Sequence, residues 1–248
     1  MNNIFINADD FGLNTSVNNA IVELFDKRLI NSTTLMANMP AFEHAVELAH
    51  LHGFTDKIGV HLVLTEGMPL TPEIGHLSFL FNGKGRFRKS WLNILFLKKS
   101  HKRLIYKELA AQIEKIQSKN IYISHMDSHH HVHEVYSITK ILLELKTQYN
   151  IKYIRILNNL GKSSKLSKRV YRHLINIYLK QKKANYSDFF GNKTEFLARL
   201  NKESGFFKNK KVEIMVHPNY DFEGNLIDSV DREEYNLNFL KILKTRVI

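Results

Sequence analysis

"NIFINADDFGLN", residues 3–14, is a short apolar run that ends in two adjacent aspartates and breaks on a glycine. Beyond it Val17, Ala20, Ile21, Leu24 and Phe25 recur at helical spacing, with Asn14 placed to cap the helix. A strand that hands over to a helix through a polar turn is one βα unit, and the unit recurs down the chain. "TTLMA" (33–37) reads as the second strand, and the stretch from Pro40 as a helix with proline in its first turn. "KIGVHLVL" (57–64) is the third strand. Residues 70–100, with "FNGKGRF" and Trp91, predict a long loop, a candidate for substrate recognition or for the contact of a homodimer. Ile105, Leu109, Ile113 and Ile116 mark a helix, and "NIYISHMD" a strand. Val135, Ile138, Leu142 and Leu145 mark the next helix, and "IKYIRIL" (151–157) the next strand. Leu166, Val170, Leu174 and Tyr178 predict a further helix, and "KVEIMVH" (211–217) a late strand. Such alternation implies an α/β fold with a parallel sheet, open or closed into a barrel, in a single domain over 1–248.

The bulk numbers agree with that class. A chain of 248 residues, 44% hydrophobic, can fill a large core. It has no cysteine, so disulfides, thiolate nucleophiles and Cys-ligated zinc are excluded. "MNNIFINADD" lacks the basic and apolar regions of a signal peptide, and no run approaches the length of a membrane span. These features predict a cytoplasmic protein with no membrane partner. The formal charge of +12 is uneven: residues 74–107 carry nine Lys or Arg and residues 161–183 carry eight, neither with an acid. Both stretches are expected to be solvated lysine-rich faces, with no nucleic-acid partner.

The informative pattern is where each strand stops. The first ends in "NADDFG", the third carries His61, the fourth runs into "HMDSHHHVH", the fifth carries Arg155, and the last ends in "HPN". In parallel α/β architectures the ligand site lies outside the carboxyl ends of the strands. Five strands would therefore deliver carboxylates, imidazoles and a guanidinium to one rim. Taken singly, each has a blander reading: the aspartates as an Asx turn and helix cap, His61 as a satisfied core residue. Their convergence outweighs those readings. Period-two alternation in "HMDSHHHVH" predicts Asp127, His129, His131 and His133 on one side, with Ser128, His130 and Val132 on the other. His217, held extended by Pro218, would be aimed outward from the last strand end. Two imidazoles and a carboxylate with open positions suit a divalent cation that activates water. The chain shows no Gly-rich phosphate loop, nucleophile elbow or dinucleotide fingerprint.

At these residues the chain resembles the YdjC-like carbohydrate deacetylases, a family that includes chitooligosaccharide deacetylases. The matching segments are "NADDFGLN", "STTLMANMP", "GVHLVLTEG" with a following "PLT", "HMDSHHHVH", "IRI" and "MVHP", in family order from residue 7 to 218. The resemblance implies a distorted (β/α) barrel with about seven parallel strands. It also implies one divalent metal ion, magnesium or zinc, held by Asp10, His61 and His129. Asp9 would be the general base, His217 the general acid and Arg155 the residue that orients the base, with Asp127 and His131 as supporting residues behind them. The implied reaction is hydrolysis of an N-acetyl group from an amino sugar or short chitooligosaccharide-type saccharide, releasing acetate. A metal-dependent phosphoesterase and a non-enzymatic nucleic-acid binder are the alternatives. The tail after Tyr220 and the basic segment 161–183 depart from the family pattern.

Overall fold

The computed structural model describes residues 3–89, 97–161, 165–203 and 205–230. Its core is a seven-stranded, all-parallel sheet made of β1 (Ile4–Phe11), β2 (Ser32–Leu35), β3 (Ile58–Leu62), β4 (His125–Ser128), β5 (Tyr153–Ile154), β6 (Phe189–Asn192) and β7 (Val212–Val216). The hydrogen-bonded order is β5-β4-β3-β2-β1-β7-β6. Its two edges also approach each other. Ile154 and Asn185 form a parallel bridge, and the Ile154 N–H donates to Ala184 O at 2.7 Å. The strands therefore run round the axis in chain order, which is the distorted (β/α) barrel expected, closed by one bridge between β5 and the segment leading into β6.

Helices α1 (Thr15–Asp26), α2 (Phe42–Leu51), α3 (Lys99–Gln117), α4 (Tyr136–Gln148), α5 (Leu166–Gln181) and α6 (Lys193–Lys202) connect these strands. A separate antiparallel pair, β8 (Pro218–Tyr220) and β9 (Leu226–Asp228), follows β7. Asn14 accepts from the Val17 N–H and starts α1, as its position predicted. α2 begins at Phe42 with Ala41 as its cap, so Pro40 lies just outside the first turn. The strand read over 151–157 is regular only at Tyr153–Ile154. Beyond it the Arg155 N–H still reaches Met126 O, whereas the Leu157 N–H is taken by the Asn176 side chain of α5. β6 and α6 were not foreseen, although Asn192 and Glu195 form a capping box that marks the start of α6.

The structure resolves one helix face that spacing left open and corrects one strand alternation. In α5 the apolar series Leu166, Val170 and Leu174 is exposed, and Ile175 and Leu179 are the buried residues. Spacing identified an apolar face but could not say whether the barrel covers it. Alternation also fails after Ser128: the chain leaves β4 for a 3₁₀ turn over His129–Glu134, with His130 and His131 at φ 51° and 54°. His129, His131 and His133 thus do not share a side.

Residues 70–89 are less open than a loop reading suggests. Ile74, Leu77, Leu80, Phe81 and Phe87 are buried there, and the Glu108 carboxylate accepts from the Leu70 and Thr71 N–H groups. Trp91 and the rest of 90–96 lie outside the described residues.

Candidate metal and acid–base site

Along the strands, residues facing the helices are mostly apolar while alternate ones meet across the barrel. Asn7 and Asp9 (β1), Thr34 (β2), His61 (β3), Asp127 (β4), Arg155 (just after β5) and Glu213 (β7) form one buried hydrogen-bonded network. Gly59 belongs to the same inward series: a Cβ there would lie 2.6 Å from the His125 ring, so glycine leaves room for an imidazole across the barrel.

Arg155 is the hub. Its Nη1 and Nη2 donate to the two oxygens of Asp9 at 2.6 and 2.7 Å. Nη1 is also 2.6 Å from Asp127 Oδ2, and Nε donates to Glu213 Oε1 at 2.6 Å. Burial would raise the Asp9 pKa, but the Arg155 guanidinium outweighs it and holds the carboxyl below its usual range. The same balance keeps Asp127 ionised, whereas burial prevails at Glu213 and raises its pKa.

Asp10 takes a different course from its neighbour. The β1–β2 register shifts between Ala8 and Phe11, and Asp10 sits in that irregularity at φ 69°. In a regular strand adjacent side chains would face opposite ways. Here the left-handed residue turns Asp10 to the rim, where its Oδ1 is 2.9 Å from His129 Nδ1 and 3.2 Å from His61 Nε2. His61 Nδ1 lies 2.7 Å from Asp127 Oδ1, and His129 Nε2 lies 3.0 Å from Glu66 Oε2. The three residues read as ligands are thus brought together, with donor atoms from all three within 4.8 Å of one another.

The cluster's electrostatics fit a cation. Three carboxylates (Asp9, Asp127 and Glu213) surround one arginine, and a fourth, Asp10, lies between His61 and His129. Burial alone would lower the His61 pKa, yet Asp127, Asp10 and Asp9 raise it to about 10. A pocket that draws a proton this strongly onto an imidazole is one where a divalent cation can replace that proton. The carboxylate behind His61 also resembles the partner that fixes a ligating histidine's tautomer.

His217 lies beside this cluster, with Nε2 4.0 Å from Asp9 Oδ2. Sequence reading missed what positions it. Asp228, in the tail set aside as divergent, is carried in by β9: its Oδ2 accepts from the His217 N–H at 3.0 Å and its Oδ1 is 4.0 Å from Nδ1. Asn7, Thr34, Glu66 and Glu213 were also passed over. Their signal was the polar alternation within otherwise apolar strands, and "LTEG" for Glu66. Asp127 stands behind His61 as expected. His131 makes no hydrogen bond to the cluster; its ring packs edge-on to Phe190, and its Nδ1 has no partner among the described residues. A cavity of about 530 Å³ at the opposite mouth, lined by Phe5, Tyr153 and Tyr186, touches Arg155 and Glu213 but contains none of the ligand candidates.

Comparison with known proteins places the chain among relatives. A carbohydrate deacetylase of Brevibacillus brevis is 39% identical over 148 residues, covering 60% of this chain and 57% of that protein. One from Vibrio campbellii is 38% identical over 150 residues, again 60% and 57%. The chain therefore spans less than two thirds of the length of these relatives. A solved structure from Enterococcus faecalis V583, described as a candidate cellobiose-phosphate cleavage protein, superposes with a TM-score of 0.70 over 98% of this chain and 90% of that one. At 24% identity it shares the fold. The family model described as YdjC-like protein matches residues 3–242, and the chain belongs to that family.

Proposed function

We propose that this protein is a divalent-cation-dependent hydrolase that removes an N-acetyl group from an amino sugar or short chitooligosaccharide-type saccharide, releasing acetate. The reading takes its substrate class from the relatives named carbohydrate deacetylase. The observation that carries it is the pairing of an Asp10–His61–His129 triangle with an Asp9–His217 pair on the same rim. Residues 1–248 act as one domain in this reading.

A bound cation, magnesium or zinc, would be held by Asp10, His61 and His129; it would polarise the acetyl carbonyl and make water more acidic. Asp9, held ionised and fixed on both oxygens by Arg155, takes the proton of the attacking water. A C–O bond forms to the acetyl carbon and the C–N bond breaks. His217 gives its proton to the departing nitrogen, without which the amine would be too poor a leaving group. Arg155 also cancels charge that would otherwise push the two aspartates apart in protonation.

The test is acetate release from a panel of N-acetylated oligosaccharides, with and without chelator. Release that stops with chelator and returns with added cation is expected. Hydrolysis of phosphomonoesters without any acetate release would replace this reading with a phosphoesterase.

A further inference from the structure

Among the described residues, the apolar face of α5 is left exposed by the barrel. Leu166, Val170, Leu174 and Ile177 are 71%, 50%, 58% and 40% exposed, and Tyr171 is 39% exposed beside them. At 3.6 residues per turn these positions form one stripe along the helix, while Ile175 and Leu179 on the opposite side hold α5 to the core. Isolated exposed leucines need no explanation, but several aligned on one helix do.

The surroundings are basic. Lys165, Lys168, Arg169, Lys180, Lys182 and Lys183 are exposed on or beside α5, and the described part of 161–183 holds no acid. The charge continues across the neighbouring helices. Tyr136 of α4 packs on Tyr178 of α5 with centroids 5.9 Å apart, and Lys140 Nζ sits 4.9 Å over the Tyr136 ring. Lys140 in turn lines a groove between α3 and α4 with Lys99, Lys102, Arg103 and Lys107, five cations against the single carboxylate of Glu144. One face therefore joins an aliphatic stripe to a broad cationic field.

That face is tied to the catalytic rim. Arg172 of α5 pairs with Glu134 at 2.6 Å, and the Tyr171 hydroxyl donates to Glu134 O at 2.6 Å. Glu134 closes the turn that begins with His129.

We propose that α5, with the adjoining basic groove of α3 and α4, docks on an anionic lipid surface and sets the rim of the barrel beside it. Each half of the face selects that partner. Leu166, Val170, Leu174 and Ile177 gain by entering the boundary between headgroups and acyl chains, which nucleic acid does not offer. The lysines and arginines gain from anionic headgroups, whereas a second copy of this chain would oppose like charges. The contact is peripheral and consistent with the absence, among the described residues, of any helix long and apolar enough to cross a membrane. It departs from the sequence expectation of no membrane partner because spacing could not show that the stripe faces outward. It stands independently of the deacetylase reading.

Co-sedimentation with vesicles tests it, using phosphatidylglycerol mixed with phosphatidylcholine against phosphatidylcholine alone, at low and raised salt. The full chain should bind the anionic vesicles and not the neutral ones. The double variant Leu166→Asp/Leu174→Asp, at exposed positions, should keep its melting temperature and lose at least roughly tenfold in partitioning. Lys168→Glu/Arg169→Glu should weaken binding at low salt and converge with the parent at raised salt. Three results would overturn the proposal. They are no binding to anionic vesicles, binding indifferent to Leu166→Asp/Leu174→Asp, and leucine variants that change only the oligomeric mass seen by light scattering. Displacement from vesicles by RNA with full retention in the leucine variant would assign the face to nucleic acid instead.

Discussion

Arg155 grips Asp9 through two parallel hydrogen bonds of 2.6 and 2.7 Å, so the strand that ends one side of the barrel fixes the carboxylate of another. The bonds form a planar fork that lysine cannot reproduce. Arg155→Lys should therefore lose most activity while keeping much of the fold. Arg155→Met should leave Asp9, Asp127 and Glu213 buried without their cation and cost about 3–5 kcal/mol. Urea denaturation beside acetate release measures both. A parent-like midpoint in Arg155→Met would show that the carboxylates are neutralised in another way.

Asp9 and Asp10 should separate cleanly. Asp9→Asn removes the proposed base without touching the His61–Asp10–His129 triangle, so bound cation should persist while turnover falls by about 10²-fold or more. Asp10→Asn should lower cation affinity, with activity partly recovered by excess cation. Elemental analysis and turnover on the same preparations decide it; normal turnover in Asp9→Asn would remove Asp9 from the mechanism.

Asp228 accepts from the His217 N–H at 3.0 Å and is expected to act as a positioning residue for it. Asp228→Ala removes the acceptor of the His217 backbone N–H and the carboxylate nearest its Nδ1, and should lower kcat roughly 10- to 100-fold with little change in KM. Asp228→Asn keeps an oxygen for the His217 N–H and should retain more activity than alanine. Equal, unchanged kcat in both variants would show that His217 is held by other means.

Acid should destabilise the protein through His133. It is 1% exposed, its Nε2 lacks a partner among the described residues, and burial lowers its pKa from 6.5 to about 3. Between those values the unfolded chain binds a proton that the folded chain refuses. The stability is fully present above 6.5 and declines as pH falls, by roughly 1.4 kcal/mol per unit for one group. His131, lowered to about 4, adds with the same sign. His61, raised to about 10 in the metal-free chain, acts only above 6.5 and does not overlap. Urea midpoints of chelated protein across this window should fall with pH, and His133→Leu should flatten the fall. An unchanged slope in His133→Leu would place the acid sensitivity elsewhere.

Much of this molecule was legible in one dimension. The βα alternation, the cap at Asn14 and the polar residues at strand ends are local patterns, so the parallel class and the candidate residues Asp9, Asp10, His61, His129, Arg155 and His217 could be read from spacing and family likeness, whereas spacing marked six strands and passed over β6. Closure was not legible from spacing but only through the family likeness, because the bridge between Ile154 and Asn185 involves a segment with no strand signal. Nor was the divergence of the two aspartates, which depends on a register shift and a left-handed Asp10. The turn after Ser128 overrode the alternation of the histidines, and there His130 meets the Thr65 hydroxyl while His131 packs on Phe190. Asp228 reached His217 only through the β8–β9 hairpin. Periodicity likewise revealed the apolar face of α5, but whether the barrel or the surroundings meet that face is a long-range property. Residue type and spacing set which groups are available; tertiary contact decided which of them share a site.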